Sequence, residues 1–124
     1  MKLWTRFKTA HGRIGFGLLQ DDHILEHRGD LYDQPIATGA TIARDTVDLL
    51  CPCEPSKIVA LWNNFHALGA KLGKAAPSHP LFLIKPATSL NGPGAVIQRP
   101  PSYAGKIVFE GELGVVIGKR ASQV

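Results

Sequence analysis

The chain is 124 residues long, enough for one small folded domain and too short for two well-buried ones. Hydrophobic residues make up 44% and charged residues 19%, a balance that excludes a disordered chain, and no apolar run approaches the ~18 residues of a membrane-spanning helix. The formal charge of +4 is scattered over separate lysines and arginines without interleaved aromatics, which argues for solubility rather than nucleic-acid recognition.

Thirteen glycines and nine prolines favour turns and short strands over long helices, so the predicted fold is mostly β, a β-rich α+β arrangement. Residues 2–8 alternate Leu3, Thr5 and Phe7 against Trp4, Arg6 and Lys8, the period of a first strand. Their frequent charges leave no signal-peptide core, which predicts a cytoplasmic protein. Ile14 to Leu19, with Gly15 and Gly17 inside it, reads as a second strand, and Gln20-Asp21-Asp22 turns the chain into a third at His23 to Glu26. His11, His23 and His27 share no spacing or paired carboxylate and are placed on the surface. Residues 29–45, with Pro35 and Gly39, read as an irregular connection, followed by a brief apolar segment at Thr46 to Leu50.

Cys51-Pro52-Cys53-Glu54-Pro55-Ser56 is a stiff linker, because prolines at 52 and 55 stop any helix. The two cysteines lack a second pair or a nearby histidine, so they make a poor zinc site, and one intervening residue strains a disulfide. They read as reduced thiols. A boundary is placed here, giving a small N-terminal β-domain over 1–55 and a second part over 56–124.

Lys57 to Trp62 is the next predicted strand. Asn63 or Asn64 can cap a short helix through Leu72, with Phe65, Leu68 and Leu72 on one face and Gly73 at the position that ends helices. Leu81 to Pro86 is a strongly apolar strand ending on Lys85, whose ammonium is either a snorkelling surface charge or a functional cation. A turn at 88–94 and a short strand at Ala95 to Ile97 lead to the longest β-like run, Lys106 to Gly118.

In that run Glu110 and Glu112 stand two residues apart, so an extended backbone puts both carboxylates on one face. Two readings follow. On an edge strand they are solvated side chains of an amphipathic element. In a dry setting they repel one another, and a divalent cation between them is the economical remedy. The placement of so apolar a strand near the C-terminus also predicts that the chain is a fragment, or a shortened version, of a larger domain.

Together, Lys57-Ile58-Val59 with Asn64-Phe65, Phe82-Leu83-Ile84-Lys85-Pro86, Gly92-Pro93-Gly94 and Glu110-Gly111-Glu112-Leu113-Gly114-Val115-Val116-Ile117-Gly118 resemble the fumarylacetoacetate hydrolase family from about residue 56 onward. The first 55 residues look like the small β-domain that precedes the catalytic domain in bacterial 2-hydroxyhepta-2,4-diene-1,7-dioate isomerases or hydratases. The resemblance implies a β-roll or barrel, apparently truncated here, usually dimeric, that binds Mg²⁺ or Mn²⁺ through a Glu-x-Glu pair and a later Asp. It implies cleavage, hydration, isomerisation or decarboxylation of small-molecule 2-oxo acids and β-dicarbonyl compounds in aromatic or organic acid catabolism, with no nucleic-acid or membrane partner. Glu110 and Glu112 match the two glutamate ligands, and Lys85 matches a lysine near the bound substrate.

Two departures accompany it. Counted back from Lys85-Pro86, the family's lid histidine falls on Leu68 and its glutamate partner on Lys71. His66 lies two residues earlier, about 200° around a helix, so it is a catalytic candidate only in a different register or with a moving lid. The family's aspartate ligand would fall past Val124. The expectation is therefore the N-terminal part of a metal-dependent enzyme, inactive as this chain. The alternatives are a non-catalytic β-domain that self-associates and a basic binding module.

Overall fold

The computed structural model describes residues 1–123, which divide into two units: residues 1–53 together with those from Asn91 onward, and residues 54–90. The chain is mostly β. In the first unit β1 (Trp4–Thr9), β2 (Ile14–Gln20), β3 (His23–Asp30), β4 (Asp33–Ala43) and β5 (Val47–Leu50) form one antiparallel sheet in the order β4-β3-β2-β1-β5. The meander read from alternation is therefore present, and β5 closes its far edge by pairing Thr9 with Val47 and Phe7 with Leu49.

Period-two alternation on β1 turns Thr5 and Phe7 inward, where Phe7 and Ile24 are fully enclosed and Val47 nearly so. Leu19, Ile42 and Leu49 pack around them. Two glycines make this packing possible. A Cβ on Gly15 would lie 2.5 Å from the Phe7 ring, so the ring occupies the space above the glycine backbone. One on Gly17 would lie 2.2 Å from the Leu25 carbonyl oxygen, an approach that only a residue without a side chain allows.

Residues 29–45 correct the sequence reading, since most of them form β4. Their alternation is hidden by two register shifts in the β3–β4 pairing, one between Leu25 and His27 and one between Arg28 and Asp30. Gly39 takes φ +85° in the first irregularity, and the Thr38 hydroxyl donates to the Glu26 carbonyl at 3.2 Å while accepting from the Ala40 amide. Gly29 at φ +94° and Gln34 at φ +48° accommodate the second. Pro35 is tolerated because β4 is an edge strand. His27 also departs from its surface placement. It is half-buried and meets Trp4 edge-on at 4.8 Å, with Nδ1 donating to the Leu25 carbonyl.

The second unit is smaller. β6 (Ile58–Trp62) pairs antiparallel with β7 (Leu81–Lys85), Ile58 opposite Lys85 and Trp62 opposite Leu81. Between them lies α1 (His66–Lys71). Its C-terminus follows the expected chemistry: Gly73 adopts φ +65°, its amide donates to Ala70 O, and the Lys74 amide donates to Gly69 O at 2.8 Å, a Schellman closure. The N-terminus does not, because the N-cap residue is Phe65 with no side-chain cap. Asn63 takes φ +53° and spends its amide on the Ala75 carbonyl instead, 3.1 Å away, holding the loop after the helix.

From residue 90 to residue 123 there is no helix or strand among the described residues. Neither Ala95–Ile97 nor Lys106–Gly118 forms the strand its composition predicts. A strand is completed by ladder partners, and this run has none among the described residues. Phe109, Leu113 and Ile117 are accordingly exposed. Parts of this stretch lie on the first unit, with Gly92 over the backbone of Leu49 and Cys51 and Gly118 over Tyr32.

Candidate functional site

Glu110 and Glu112 sit in this unpaired run, in the first unit, and both are exposed. Burial of two like charges was the stronger argument for a cation, and it does not hold in this structure. In water two like unit charges about 4 Å apart repel by only about 1 kcal/mol, so exposure takes away the burial argument for a cation. The pair is still two hard oxygen donors at i and i+2, which suits Mg²⁺ or Mn²⁺ in type. It falls short in number: among the described residues no three His, Cys, Asp or Glu side chains gather to hold a metal ion. No acidic residue follows Glu112 in the sequence.

Lys85 and His66 belong to the second unit. Lys85 closes β7 with its side chain exposed, and its strand position opposite Ile58 is set by the hairpin register. His66 opens α1. One helical turn brings Gly69 and Ala70 onto its face, and these three line a shallow depression of about 230 Å³ with Asn63, Phe65, Lys74 and Ala76. Lys85 is not among the lining residues, so the two candidates of this unit do not share that hollow. Leu68, two positions on from His66, projects from a different side of the helix, as the ~200° offset requires.

Sequence reasoning missed the other members of this depression. Gly69 is the buried residue of α1, and a Cβ there would approach Asn63 Oδ1 and the Lys74 carbonyl at 3.3 Å each. The Lys74 ammonium lies 4.6 Å from the centroid of the Trp62 ring, a cation–π contact that fixes it at the rim. Helical spacing from His66 could have found Gly69 and Ala70. Nothing local pointed to Asn63, Lys74 or Ala76, which the Schellman turn and the Asn63–Ala75 hydrogen bond fold back toward the helix.

Residues 57–124, more than half of the chain, match the family profile described as fumarylacetoacetate (FAA) hydrolase C-terminal. The chain belongs to the fumarylacetoacetate hydrolase family. Residues 1–52 match a second profile, Rv2993c-like, N-terminal. Protein Rv2993c of Mycobacterium tuberculosis is 36% identical over 93 residues, 75% of this chain and 35% of its own length. The mitochondrial oxaloacetate decarboxylase of Dictyostelium discoideum is 39% identical over 70 residues, 55% of this chain and 31% of its own. A solved structure of an uncharacterised protein from Mycobacterium abscessus superposes with a TM-score of 0.67 at 34% identity, covering 82% of this chain and 40% of that one.

The chain thus spans about a third of the length of these curated relatives. The residues that match the family profile include Lys85, Glu110 and Glu112. The relatives include enzymes, among them this oxaloacetate decarboxylase. In addition, no helix among the described residues is long and apolar enough to cross a membrane.

Proposed function

We propose that this chain is the N-terminal part of a divalent-metal-dependent enzyme that acts on 2-oxo acid or β-dicarbonyl compounds. The observation that carries this reading is the Glu110-Gly111-Glu112 pair lying within the residues that match the fumarylacetoacetate hydrolase profile. Glu110 and Glu112 would hold a Mg²⁺ or Mn²⁺ ion. When bound, such an ion supplies Lewis-acid stabilisation of the enolate that forms as a proton moves or a carbon–carbon bond breaks.

The remaining roles fall to the chain's own side chains. Lys85 presents an ammonium at the end of β7, suited to a substrate carboxylate. Leu68 and Lys71 offer neither the imidazole nor the carboxylate of a water-activating pair, and His66 projects from a different side of α1. Isomerisation, hydration or decarboxylation is therefore favoured over hydrolytic carbon–carbon cleavage, in keeping with the decarboxylase named among the relatives. Two carboxylates alone hold a hard cation weakly, with water completing its shell. The working enzyme is a homodimer.

Titrating Mn²⁺ while following water-proton relaxation tests the metal assignment on the chain as it stands. Weak binding is expected, and it should vanish in the Glu110→Gln/Glu112→Gln double variant. Equal relaxation enhancement in both proteins would place the ion elsewhere and overturn the reading.

A second reading rests on a different observation. Ile107, Val108, Phe109, Leu113, Val115 and Ile117 are all more than half exposed, and exposed apolar segments of this kind self-associate. A non-catalytic β-domain acting through that surface would give a concentration-dependent mass by light scattering. A monomer at all concentrations would remove this alternative.

A further inference from the structure

Cys51 and Cys53 directly follow β5 and belong to the same unit as the five-stranded sheet. Both thiols are free and half-buried, and they stand one residue apart in the chain. The backbone at Cys51 is held from two directions. The Arg6 guanidinium donates from Nη1 to the Cys51 carbonyl at 3.1 Å, and a Cβ on Gly92 would lie 3.5 Å from the Cys51 amide nitrogen. Pro52 between them fixes its own φ, so few torsions remain to separate the sulfurs. Cys53 lines a mainly apolar cavity of about 340 Å³ with Trp4, Leu31, Tyr32, Pro52 and Val116, which gives a small reagent a route to its thiol. The Arg6 charge acts on Cys53 in favour of its thiolate, while burial and the neighbouring Cys51 oppose it and hold the Cys53 thiol above its usual value.

We propose that Cys51 and Cys53 form a reversible redox modification site that closes to an intramolecular disulfide by exchange with a low-molecular-weight disulfide such as oxidised glutathione. One cysteine thiolate attacks a sulfur of the reagent, forming a mixed disulfide and releasing one glutathione thiolate. The second cysteine, after losing its proton, attacks the protein sulfur of that mixed disulfide and expels the other glutathione. Two protein thiols are oxidised, one reagent disulfide is reduced to two thiols, and the protons released by the cysteines end on the departing glutathiones. A bridge across a single residue closes a small, strained ring, and strain makes a disulfide easier to reduce. The pair is thus built to cycle rather than to staple the fold.

The test equilibrates the protein in glutathione buffers of rising oxidising ratio, quenches with acid, alkylates the remaining thiols and measures intact mass. The wild type should lose both alkylation adducts together with two hydrogens, retain no glutathione, and recover both adducts on reduction. Cys51→Ser and Cys53→Ser should each stop at a single retained glutathione. In urea the wild type should need a buffer on the order of tenfold more oxidising for the same conversion, because unfolding releases the Arg6 contact that holds the backbone at Cys51. Glutathione retained on the wild type, a disulfide-linked dimer, persistent alkylation of both thiols, or an identical midpoint in urea would each overturn the proposal.

Discussion

The five-stranded sheet and the β6–β7 hairpin are built from similarly apolar strands and end in opposite states. In the sheet, Phe7 and Ile24 are sealed from solvent and Leu19, Ile42 and Leu49 close around them. In the hairpin, Leu81, Phe82, Leu83, Ile84 and Lys85 are all exposed, although Leu81 to Ile84 is the most apolar run in the sequence. The difference lies in how many strands share the burial. Five strands can curl so that inward residues from β1, β3 and β5 meet, whereas a two-stranded ribbon has no second layer to bury against and is marginal alone. Hydrophobicity along a strand therefore reports a demand for a partner. Whether that demand is met depends on the rest of the fold.

The largest effect that would sharpen this contrast is expected at the two phenylalanines. Phe7→Ala should cost about 3–5 kcal/mol in urea unfolding of the sheet, enough to abolish its cooperative transition, because it empties an enclosed site. Phe82→Ala on β7 should shift stability by no more than about 0.5 kcal/mol, as surface changes do. Similar costs at both positions would show that β7 is as well packed as β1 in solution.

Next comes Gly17→Ala. The new methyl would meet the Leu25 carbonyl, which belongs to the β3 backbone and cannot rotate away, so a loss of about 1–3 kcal/mol is expected. Amide exchange should localise the damage to β2 and β3. Protection that instead drops in β6 and β7 would contradict the separate character of the two regions.

A smaller effect is expected on the sheet surface, where the Arg13 guanidinium pairs with Glu26 and also lies over the Phe7 ring. Arg13 is half exposed, so a double-mutant cycle through Arg13→Ala and Glu26→Gln should return about 0.2–1 kcal/mol of coupling that falls with added salt.

The last test is pH. Cys53 is raised chiefly by burial and then by Cys51, and Tyr32 chiefly by burial and then by Cys53, with Arg6 opposing both and Asp30 adding to the effect on Tyr32. The folded chain thus holds these protons more tightly than the unfolded chain. Below the ordinary thiol range both states are protonated and the stability contribution is fully present. As pH rises through that range and then the phenol range, the unfolded chain ionises first and the contribution is lost. Thermal melts should therefore decline gently on the alkaline side, and Cys53→Ser should flatten the earlier part of that decline. An unchanged profile in this variant would remove Cys53 from the explanation.

Several elements were legible from local pattern because their causes are local. The alternation of Thr5 and Phe7, the turn at Asp21-Asp22 and the Gly73 terminus each arise from neighbours within a few residues. β4 escaped notice because irregularities at Gly39 and Gln34 break its period, and Asn63 was misassigned as a cap because its partner, Ala75, is twelve residues away. For the candidate site, the chemical type of Glu110, Glu112, Lys85 and His66 could be read directly. Their environment could not, since exposure is a property of what pairs with the surrounding backbone.

What the sequence by itself determined is the β-rich character, the ordered motifs of the fumarylacetoacetate hydrolase family and the oxygen-donor chemistry of Glu110 and Glu112. These depend on residue type and spacing, which folding does not alter. Only the tertiary structure decided that Phe7, Ile24 and Val47 form the core, that Cys53 lines a cavity, and that the two carboxylates lie in water. Burial and pairing are set by distant segments meeting, and no local pattern encodes which of them do.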